Sequence, residues 1–332
     1  MNKTMTQSNF LVLTTINPIN SSIKKMIDET DFRLIIVGDK KTPKYSKGNF
    51  EFLDVDKQKT LPFKFVETCP YNSYQRKNLG YLYAIKEGAE IIVETDDDNY
   101  PLSGWTRNIE FIPKNSKLVL EPKIFNAYAE FTKEKIWPRG FPLECILENK
   151  EKKFEQIKNP SIGIWQGLVN NEPDVDAIYR LTINKNIEFL NNESIVLSKG
   201  VFCPFNSQNT IWKKEFFPYM YLPVTVTFRM TDILRSYVAQ RCLWEHESFL
   251  AFTGPTMAQE RNPHNLIEDF KSEIPCYTYS LKIIEILSDL QLSSNPYNNL
   301  EIIYAEFAKN GIVQNNELVS LQNWINDLRN LL

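Results

Sequence analysis

Ile91-Ile92-Val93-Glu94-Thr95-Asp96-Asp97-Asp98-Asn99 is the stretch that decides the fold, because an apolar run passes directly into three consecutive aspartates. Ile91 to Val93 has the apolar, β-branched character of a buried parallel strand, and the helical pattern before it predicts a strand–helix–strand crossover. The carboxylates then stand at the carboxyl end of a strand, where open α/β sheets bind their ligands. The stretch therefore predicts an α/β protein with a ligand site at the aspartates.

The three aspartates form a candidate metal site. Adjacent carboxylates repel one another unless a cation or hydrogen-bond donors offset them, and hard oxygen ligands of this kind suit Mg²⁺ or Mn²⁺. Because side chains alternate along an extended chain, Asp96 and Asp98 lie on one side and share the metal, whereas Asp97 points elsewhere. A metal held by so few carboxylates takes further ligands from phosphate. The alternative is a solvated acidic turn.

Composition limits the class of protein. The chain has 332 residues, of which 42% are hydrophobic and 24% charged, and this is typical of a large α/β domain with a smaller appendage or of two domains. Lys+Arg 38 against Asp+Glu 41 leaves a formal charge of −3, so a nucleic-acid partner is not expected. The five cysteines have no paired spacing, and neither a signal peptide nor a membrane span is evident. A cytoplasmic protein is expected.

Two earlier strands predict further loops at the same sheet edge. Residues 10–15 read as a first buried strand that ends in Thr14 and Thr15, and Asn17 follows in the next loop. The second strand, residues 33–37, leads to Asp39, which can accept from a ribose hydroxyl or a base. Lys40 or Lys41 in the same loop faces phosphate or is a solvated loop charge.

A helix from about Tyr74 to Glu87 is predicted by an N-cap at Ser73 and by Gly88 after its end. Arg76 and Asn78 lie in its first turns, where the free amides and the helix dipole favour an anion. Arg76 is the predicted contact to a diphosphate or base, and the alternative is a solvated helix residue. Gly80 permits close approach of the helix to the sheet.

The later chain supplies two candidate catalytic residues. Arg139 lies between Pro138 and Pro142, which predicts a rigid loop that presents the arginine. Asp232 stands where an apolar segment meets a helix of residues 233–247, so it is either a helix cap or a group that acts on an acceptor. A short helix or turn is expected over residues 104–111, and a charged helix or excursion over residues 148–158. The pattern predicts a domain of residues 1–273 and a helical appendage of residues 274–332.

An ordered series of motifs resembles the STELLO-like family of glycosyltransferases. The resemblance spreads over roughly residues 10–270 and implies a GT-A fold, here a Rossmann-like mixed sheet with flanking helices and a nucleotide-sugar site. It also implies a divalent metal on a D-x-D motif, which corresponds to Asp96 and Asp98. The motifs are Thr14-Thr15-Ile16-Asn17-Pro18, Val37-Gly38-Asp39-Lys40-Lys41-Thr42-Pro43, Arg76-Lys77-Asn78-Leu79-Gly80-Tyr81, Asp96-Asp97-Asp98, Trp137-Pro138-Arg139-Gly140 and Leu222-Pro223-Val224.

A second series of motifs consists of Asp96-Asp97-Asp98, Arg139-Gly140-Phe141-Pro142, Gly167-Leu168 with Pro173-Asp174, Lys199-Gly200 and Asn262-Pro263. In this order it resembles the reversibly glycosylated polypeptides, which include UDP-arabinopyranose mutases. That family carries its sugar on the arginine of an Arg-Gly-aromatic-Pro motif, which corresponds to Arg139 in Arg139-Gly140-Phe141-Pro142. A histidine that this family shows shortly before its Asn-Pro is not evident here. The third metal ligand is therefore open between Gln259, Glu260 and His264.

The sequence as a whole predicts a metal-dependent glycosyltransferase that uses a nucleoside-diphosphate sugar, UDP-linked, and a hydroxyl acceptor in glycan or polysaccharide synthesis. Asp232 is the expected general base if the reaction inverts, and Arg76, a loop lysine and the Mn²⁺ or Mg²⁺ ion neutralise the leaving diphosphate. The remaining donor contacts are predicted at Thr14, Thr15, Asn17, Asp39, Lys41, Asn78 and Asp97. The alternatives are a nucleotide-sugar mutase centred on Arg139 and a donor-binding scaffold without turnover.

Overall fold

The computed structural model describes residues 8–103, 105, 115–261 and 265–332. In these residues the chain forms eleven β-strands and eight α-helices. The strands are β1 Asn9–Thr14, β2 Arg33–Val37, β3 Glu51–Leu53, β4 Ile91–Thr95, β5 Asn99–Pro101, β6 Asn115–Glu121, β7 Lys153–Lys158, β8 Ile162–Asn170, β9 Ile195–Leu197, β10 Asn209–Lys213 and β11 Phe249–Gln259. The helices are α1 Ser21–Glu29, α2 Val55–Lys59, α3 Lys77–Lys86, α4 Ala177–Thr182, α5 Thr231–Leu243, α6 Leu266–Asp289, α7 Pro296–Lys309 and α8 Glu317–Leu331.

The described strands join one mixed sheet in the order β3-β2-β1-β4-β10-β8-β11-β9-β6-β7, and β5 pairs with β11. The first four strands of this order are parallel, and β1 lies between β2 and β4, with Thr14 beside Val37 and Val12 beside Glu94. From β10 onward the sheet is mixed. A parallel, Rossmann-like half extended by a mixed half confirms the predicted α/β fold class.

Alternating side chains of β1 explain why both faces of the sheet are covered. Phe10 and Val12 belong to the core that α3 covers, whereas Leu11 and Leu13 belong to the core that α1 covers. This is the pattern of a strand that is buried on both faces, and it places the parallel strands at the centre of the fold. The carboxyl ends of β1, β2 and β4 therefore open on one edge of the sheet.

At Gly80, α3 packs closely against the parallel strands. A Cβ atom added at Gly80 would lie 2.6 Å from Val12 Cγ1 and 2.6 Å from Val37 Cγ2. Two contacts of 2.6 Å to branched side chains favour the upper part of the usual overpacking cost of roughly 1–3 kcal/mol. After a gain in helix propensity of about 1 kcal/mol, we expect Gly80→Ala to lower the free energy of unfolding by about 1–2 kcal/mol. Urea unfolding measures this change. Lys86→Ala on the exposed part of α3 is the control, and equal stability of the two variants would contradict the close-packing account.

Several predicted elements differ from the structure. The helix expected from Tyr74 begins as a 3-10 turn, Tyr74–Arg76, that Ser73 caps, and α3 follows. The charged excursion of residues 148–158 contains the edge strand β7, whose side chains are almost all exposed. The strand carries no apolar alternation, because only Ile157 of its side chains is partly buried against a core cluster that is described. The segment predicted at residues 104–111 lies outside the described residues except for Trp105.

The carboxyl-terminal helices pack into the same core as the sheet. Buried side chains of α6, α7 and α8 share one apolar cluster with Phe65 and Tyr221. Asp327 accepts from the amides of Lys64 and Phe65, at 2.8 Å each. The predicted boundary between residues 273 and 274 falls inside α6, which is continuous from residue 266 to 289. In the part of the chain that is described, no helix is both long and apolar enough to cross a membrane.

Candidate active site

A cavity of about 380 Å³ opens at the carboxyl edge of the parallel strands. It brings together ten of the residues that the sequence singled out, namely Thr14, Thr15, Asn17, Asp39, Arg76, Asp96, Asp97, Asp98, Arg139 and Asp232. Lys41 and Asn78 are not among its lining residues. The cavity therefore joins the strand-end loops of the first half of the chain to the catalytic candidates of the second half.

Asp96 is held by Tyr74 and Lys77. The Tyr74 hydroxyl donates to Asp96 Oδ1 at 2.9 Å, and the buried Lys77 ammonium lies 3.3 Å from the same oxygen. Burial raises the pKa of Asp96 to about 6; Lys77 and Tyr74 oppose this rise, and Asp98 adds to it. The local donors thus leave part of the charge of this carboxylate uncompensated, and a cation would stabilise the ionised form.

Asp97 is turned toward the loop that follows β1. Its Oδ2 accepts from Thr15 Oγ1 at 2.5 Å and from Asn17 Nδ2 at 2.9 Å, and its carbonyl oxygen accepts from Asn20 Nδ2 at 2.7 Å. Asp97 therefore fixes the loop that carries Thr15 and Asn17 against the aspartate loop.

Asp98 is nearly buried and contacts the end of β11. Gln259 Nε2 donates to Asp98 Oδ1 at 2.9 Å, while Gln259 Oε1 accepts from Gln208 at 2.8 Å. Of the three candidates for a third ligand, Gln259 lines the cavity, Glu260 does not, and His264 lies outside the described residues. Within the described ranges, no group of three or more His, Cys, Asp or Glu side chains is placed to hold a metal ion.

The donor set nevertheless fits a divalent cation. Asp96 and Asp98 offer hard carboxylate oxygens in the lining of the cavity. The charge on Asp96 is only partly compensated, as its raised pKa indicates. Mg²⁺ and Mn²⁺ accept such oxygen ligands and take one or two carboxylates together with phosphate oxygens.

The loop after β2 is closed by Asp39. Its carboxylate accepts from the amide of Lys40 at 2.7 Å and from the amide of Ser73 at 3.0 Å. Asp39 thus holds the β2 loop to the loop that precedes α3, and both loops line the cavity. Lys41 is exposed outside the cavity lining.

Arg76 and Asn78 make structural contacts that the sequence did not predict. The buried Arg76 donates through Nε to Gln58 Oε1 at 2.7 Å and through Nη1 to the carbonyls of Cys69 and Pro70 at 3.3 and 3.2 Å. Asn78 exchanges two hydrogen bonds with the backbone of Leu222, at 2.8 and 2.9 Å. Arg76 lines the cavity, but its guanidinium is directed at the 69–70 loop. The buried cation that does reach the aspartates is the adjacent Lys77.

Arg139 lies between two carboxylates. Its Nε and Nη2 donate to Asp174, with a shortest distance of 2.6 Å, and its Nη1 and Nη2 donate to the two oxygens of Asp232 at 3.0 Å each. Gly140 supports this turn with φ +80, where a Cβ atom would lie 2.3 Å from the Ile233 side chain. The rigid arginine loop that the prolines predict is therefore tied to the start of α5.

Asp232 is not a helix cap. This excludes one of the two roles that the sequence left open, a helix cap or a group that acts on an acceptor. Met230 is the N-cap of α5 and makes no side-chain cap bond. The Asp232 carboxylate is instead directed at Arg139 and at Ser207, whose amide and hydroxyl lie 3.2 Å from Oδ2. Burial alone would raise the pKa of Asp232, but Arg139 reverses this effect and the pKa falls to about 2. The group is thus ionised at any ordinary pH.

The chemistry of Arg139 follows from the same contacts. Although burial disfavours its charge, Asp174 and Asp232 raise its pKa well above the ordinary value. The guanidinium stays protonated, and each of its nitrogen atoms already donates a hydrogen bond. A protonated nitrogen has no lone pair for attack on a sugar, so the geometry favours a positioning role for Arg139 over a sugar-carrying role.

Several lining residues escaped the sequence analysis because their neighbours in space are distant in sequence. Asp174 reaches Arg139 across 35 positions, and Ser207 reaches Asp232 across 25. Arg229 and Arg261 also line the cavity. Burial lowers the pKa of Arg261 to about 10, and the positive charges of Arg180 and Arg229 add to this effect. Asp174 belongs to the Pro173-Asp174 motif of the second resemblance, whereas no motif marks Ser207, Arg229 or Arg261.

The fold and the cavity define a class, the α/β proteins with aspartates at the carboxyl edge of a parallel half-sheet. Residues 229–332 match the family model described as STELLO glycosyltransferases. "Probable glycosyltransferase STELLO1" from Arabidopsis thaliana is 31% identical over 256 residues, which cover 70% of this chain and 33% of that protein. "Probable glycosyltransferase STELLO2" from the same plant is 29% identical over 270 residues, which cover 75% and 35%. The chain is thus similar to the STELLO glycosyltransferases, as its motifs predicted, and it spans about a third of the length of these curated relatives.

Solved structures give a more distant likeness. The structure of glucosyl-3-phosphoglycerate synthase from Mycobacterium tuberculosis in complex with Mn²⁺, UDP-glucose and phosphoglyceric acid has a TM-score of 0.41 and 10% identity. The alignment covers 84% of this chain and 81% of that one.

Proposed function

We propose that the protein is a metal-dependent glycosyltransferase that takes a sugar from a nucleoside-diphosphate donor, UDP-linked, and transfers it to a hydroxyl group of a glycan or another acceptor. One observation carries this proposal. One cavity is lined by Asp96 and Asp98 after β4, by the strand-end loops of the parallel half-sheet and by the buried Asp232. A nucleotide-sugar needs a nucleoside side, a cation for its diphosphate and an acceptor side, and the cavity has candidates for each.

The nucleoside side is proposed at the loops after β1 and β2. Thr14, Thr15 and Asn17 line it from one loop and Asp39 from the other, and Asp97 holds the first loop in place. Ser73 and Tyr74 close the third side, and the exposed Phe228 ring lies edge-on to Tyr74 with ring centroids 5.4 Å apart. These hydroxyl, amide and aromatic groups suit a ribose and a flat base.

A divalent cation is proposed at Asp96 and Asp98. When bound, it would neutralise the charge that develops on the departing diphosphate. The chain itself supplies Lys77, which holds Asp96 in position, and Gln259, which holds Asp98. The positions of both carboxylates are thus set by partner side chains before any ligand arrives, which is the preorganisation that this kind of stabilisation requires.

The acceptor side is proposed at Asp232, Arg139 and Asp174. In an inverting reaction, Asp232 takes the proton of the acceptor hydroxyl as the new glycosidic bond forms. Its low pKa keeps it ionised, and Arg139 and Ser207 fix its orientation. Arg139 is proposed to act through Asp232 as a positioning residue.

Incubation of the protein with a panel of nucleotide sugars and Mn²⁺ tests the proposal. We expect slow hydrolysis of one donor, because a transferase that lacks its acceptor lets water react. A ring-isomerised donor would instead identify a nucleotide-sugar mutase, and label retained on Arg139 would support that outcome. Binding without any turnover, across the whole panel and with acceptors added, would identify a donor-binding scaffold.

A further inference from the structure

Arg229 and Arg261 form an arginine wall on one side of the cavity. Arg229 is held from behind by the fully buried Glu273, which lies 2.8 Å from Nε and 2.7 Å from Nη2. Arg261 is held by Asp269, 2.9 Å from Nη2. Within the part of the chain that is described, no group accepts from Arg229 Nη1 or from Arg261 Nε and Nη1. Each guanidinium is therefore anchored at one end and keeps donors at the other.

The wall adjoins both the proposed metal side and the proposed acceptor side. The carbonyl oxygen of Arg229 accepts a hydrogen bond from Arg139 Nη1, so Arg229 adjoins the group that orients Asp232. Arg261 stands two residues after Gln259, whose side chain holds Asp98. A group bound to these two arginines would thus lie near both the proposed metal side and the proposed acceptor side.

A third arginine increases the positive charge behind the wall. Arg180 donates to Glu172 at 3.1 Å and to the carbonyl of Pro173 at 2.8 Å, and among the described residues its buried Nε has no hydrogen-bond partner. The charges of Arg180 and Arg229 both act on Arg261. Crowded guanidinium groups repel one another, and a bound anion relieves that repulsion. The planar guanidinium fork also matches the oxygens of phosphate and carboxylate.

We infer that Arg229 and Arg261 form a subsite for a phosphate or carboxylate group of the substrate. The inference rests on the proposed function, because the anionic group belongs either to the donor or to the acceptor. If it belongs to the donor, the subsite binds the diphosphate. If it belongs to the acceptor, the acceptor is an acidic molecule. The shared chemistry is an anion with oxygens that two arginines bind together.

Arg261→Gln is the variant that tests the subsite. Its partner Asp269 is not fully buried, whereas Arg229→Gln would leave Glu273 buried without its cation. Arg33→Gln is the control, because Arg33 forms a more exposed ion pair with Glu87 at 3.1 Å and does not line the cavity. Melting temperatures of all three proteins establish that each is folded.

Calorimetric titration at constant ionic strength, in the presence of Mg²⁺, measures the binding of inorganic phosphate, uridine and UDP. We expect an anion to bind the wild type and Arg33→Gln equally, and at least about tenfold more weakly to Arg261→Gln, as befits the loss of charge-assisted hydrogen bonds. Uridine binding should not change.

The source of the anion follows from competition. If UDP displaces phosphate and Arg261→Gln weakens UDP, the subsite takes the donor diphosphate. If phosphate still binds to the UDP-saturated protein, the subsite takes an acidic acceptor. Unchanged affinities for both phosphate and UDP in Arg261→Gln would overturn the inference. Failure of the proposed function would appear separately, as UDP binding that does not depend on the metal.

Discussion

Replacement of Asp232 by asparagine is expected to lower turnover by a factor on the order of 10² to 10⁴, the usual contribution of a general base. Asparagine keeps an oxygen for Ser207 and Arg139 but takes up no proton at neutral pH. The low pKa of Asp232 makes it a weak proton acceptor, so a value near the lower end of this range is expected. The measurement is turnover with the donor that the panel identifies, in the presence of an acceptor.

The Asp232→Asn variant is also expected to lose stability, because it removes the charge that pairs with Arg139. If Asp232 were only a helix cap, asparagine would replace it with little change in stability. A decrease in melting temperature alone therefore does not identify a base. Asp174→Asn is the matched control, since Asp174 is the other carboxylate of Arg139 at 2.6 Å. A comparable loss of stability with a much smaller loss of turnover is expected in the control. Equal losses of turnover, or full activity of Asp232→Asn, would transfer the base role to another group.

Glu94→Ala is expected to have the largest effect on folding, a loss of roughly 3–5 kcal/mol in the free energy of unfolding. Glu94 is fully buried on β4 and forms a bidentate pair with Arg235 of α5, with two contacts of 2.8 Å. It also accepts from Trp212 Nε1 at 2.8 Å and from the Tyr81 hydroxyl. Its removal leaves the Arg235 guanidinium buried without a counter-charge.

Chemical denaturation of a double-mutant cycle tests this account. Glu94→Leu with Arg235→Leu removes both charges, so it should cost much less than the sum of the two single changes. Glu90→Ala, which breaks an exposed pair with Lys214, is the control and should change stability little. Single changes at Glu94 or Arg235 that are as mild as Glu90→Ala would contradict the assignment of a buried ion pair.

The sequence predicted those features of the fold that depend on patterns of neighbouring residues. The run from Ile91 to Val93 and the aspartates after it identified β4 and its carboxyl edge, because strand character and side-chain alternation depend on neighbouring residues. The close approach at Gly80 followed from the absence of a side chain on the sheet-facing side of a helix. The predicted α/β fold class and the STELLO resemblance were confirmed for the same reason, since both rest on ordered local motifs.

The sequence could not predict contacts that the fold makes between distant residues. Arg76 was expected to face a ligand, but Gln58, 18 positions earlier, binds its guanidinium. From the sequence, Asp232 could be either a helix cap or a catalytic group. In the structure its carboxylate binds Arg139, 93 positions earlier, and does not cap the helix. The edge strand β7 was predicted as a helix or excursion because exposed strands lack apolar alternation.

The central claim is that Asp96 and Asp98 bind a divalent metal together with the diphosphate of a nucleotide. Calorimetric titration with UDP, with and without Mn²⁺, tests it most directly on the wild type, Asp98→Ala and Asp97→Asn. Mn²⁺ should strengthen UDP binding to the wild type by more than about tenfold, or about 1.4 kcal/mol. The effect of the metal should disappear in Asp98→Ala and persist in Asp97→Asn, whose side chain is directed at the β1 loop. UDP affinity that is unchanged by Mn²⁺, or by Asp98→Ala in the presence of Mn²⁺, would contradict the claim.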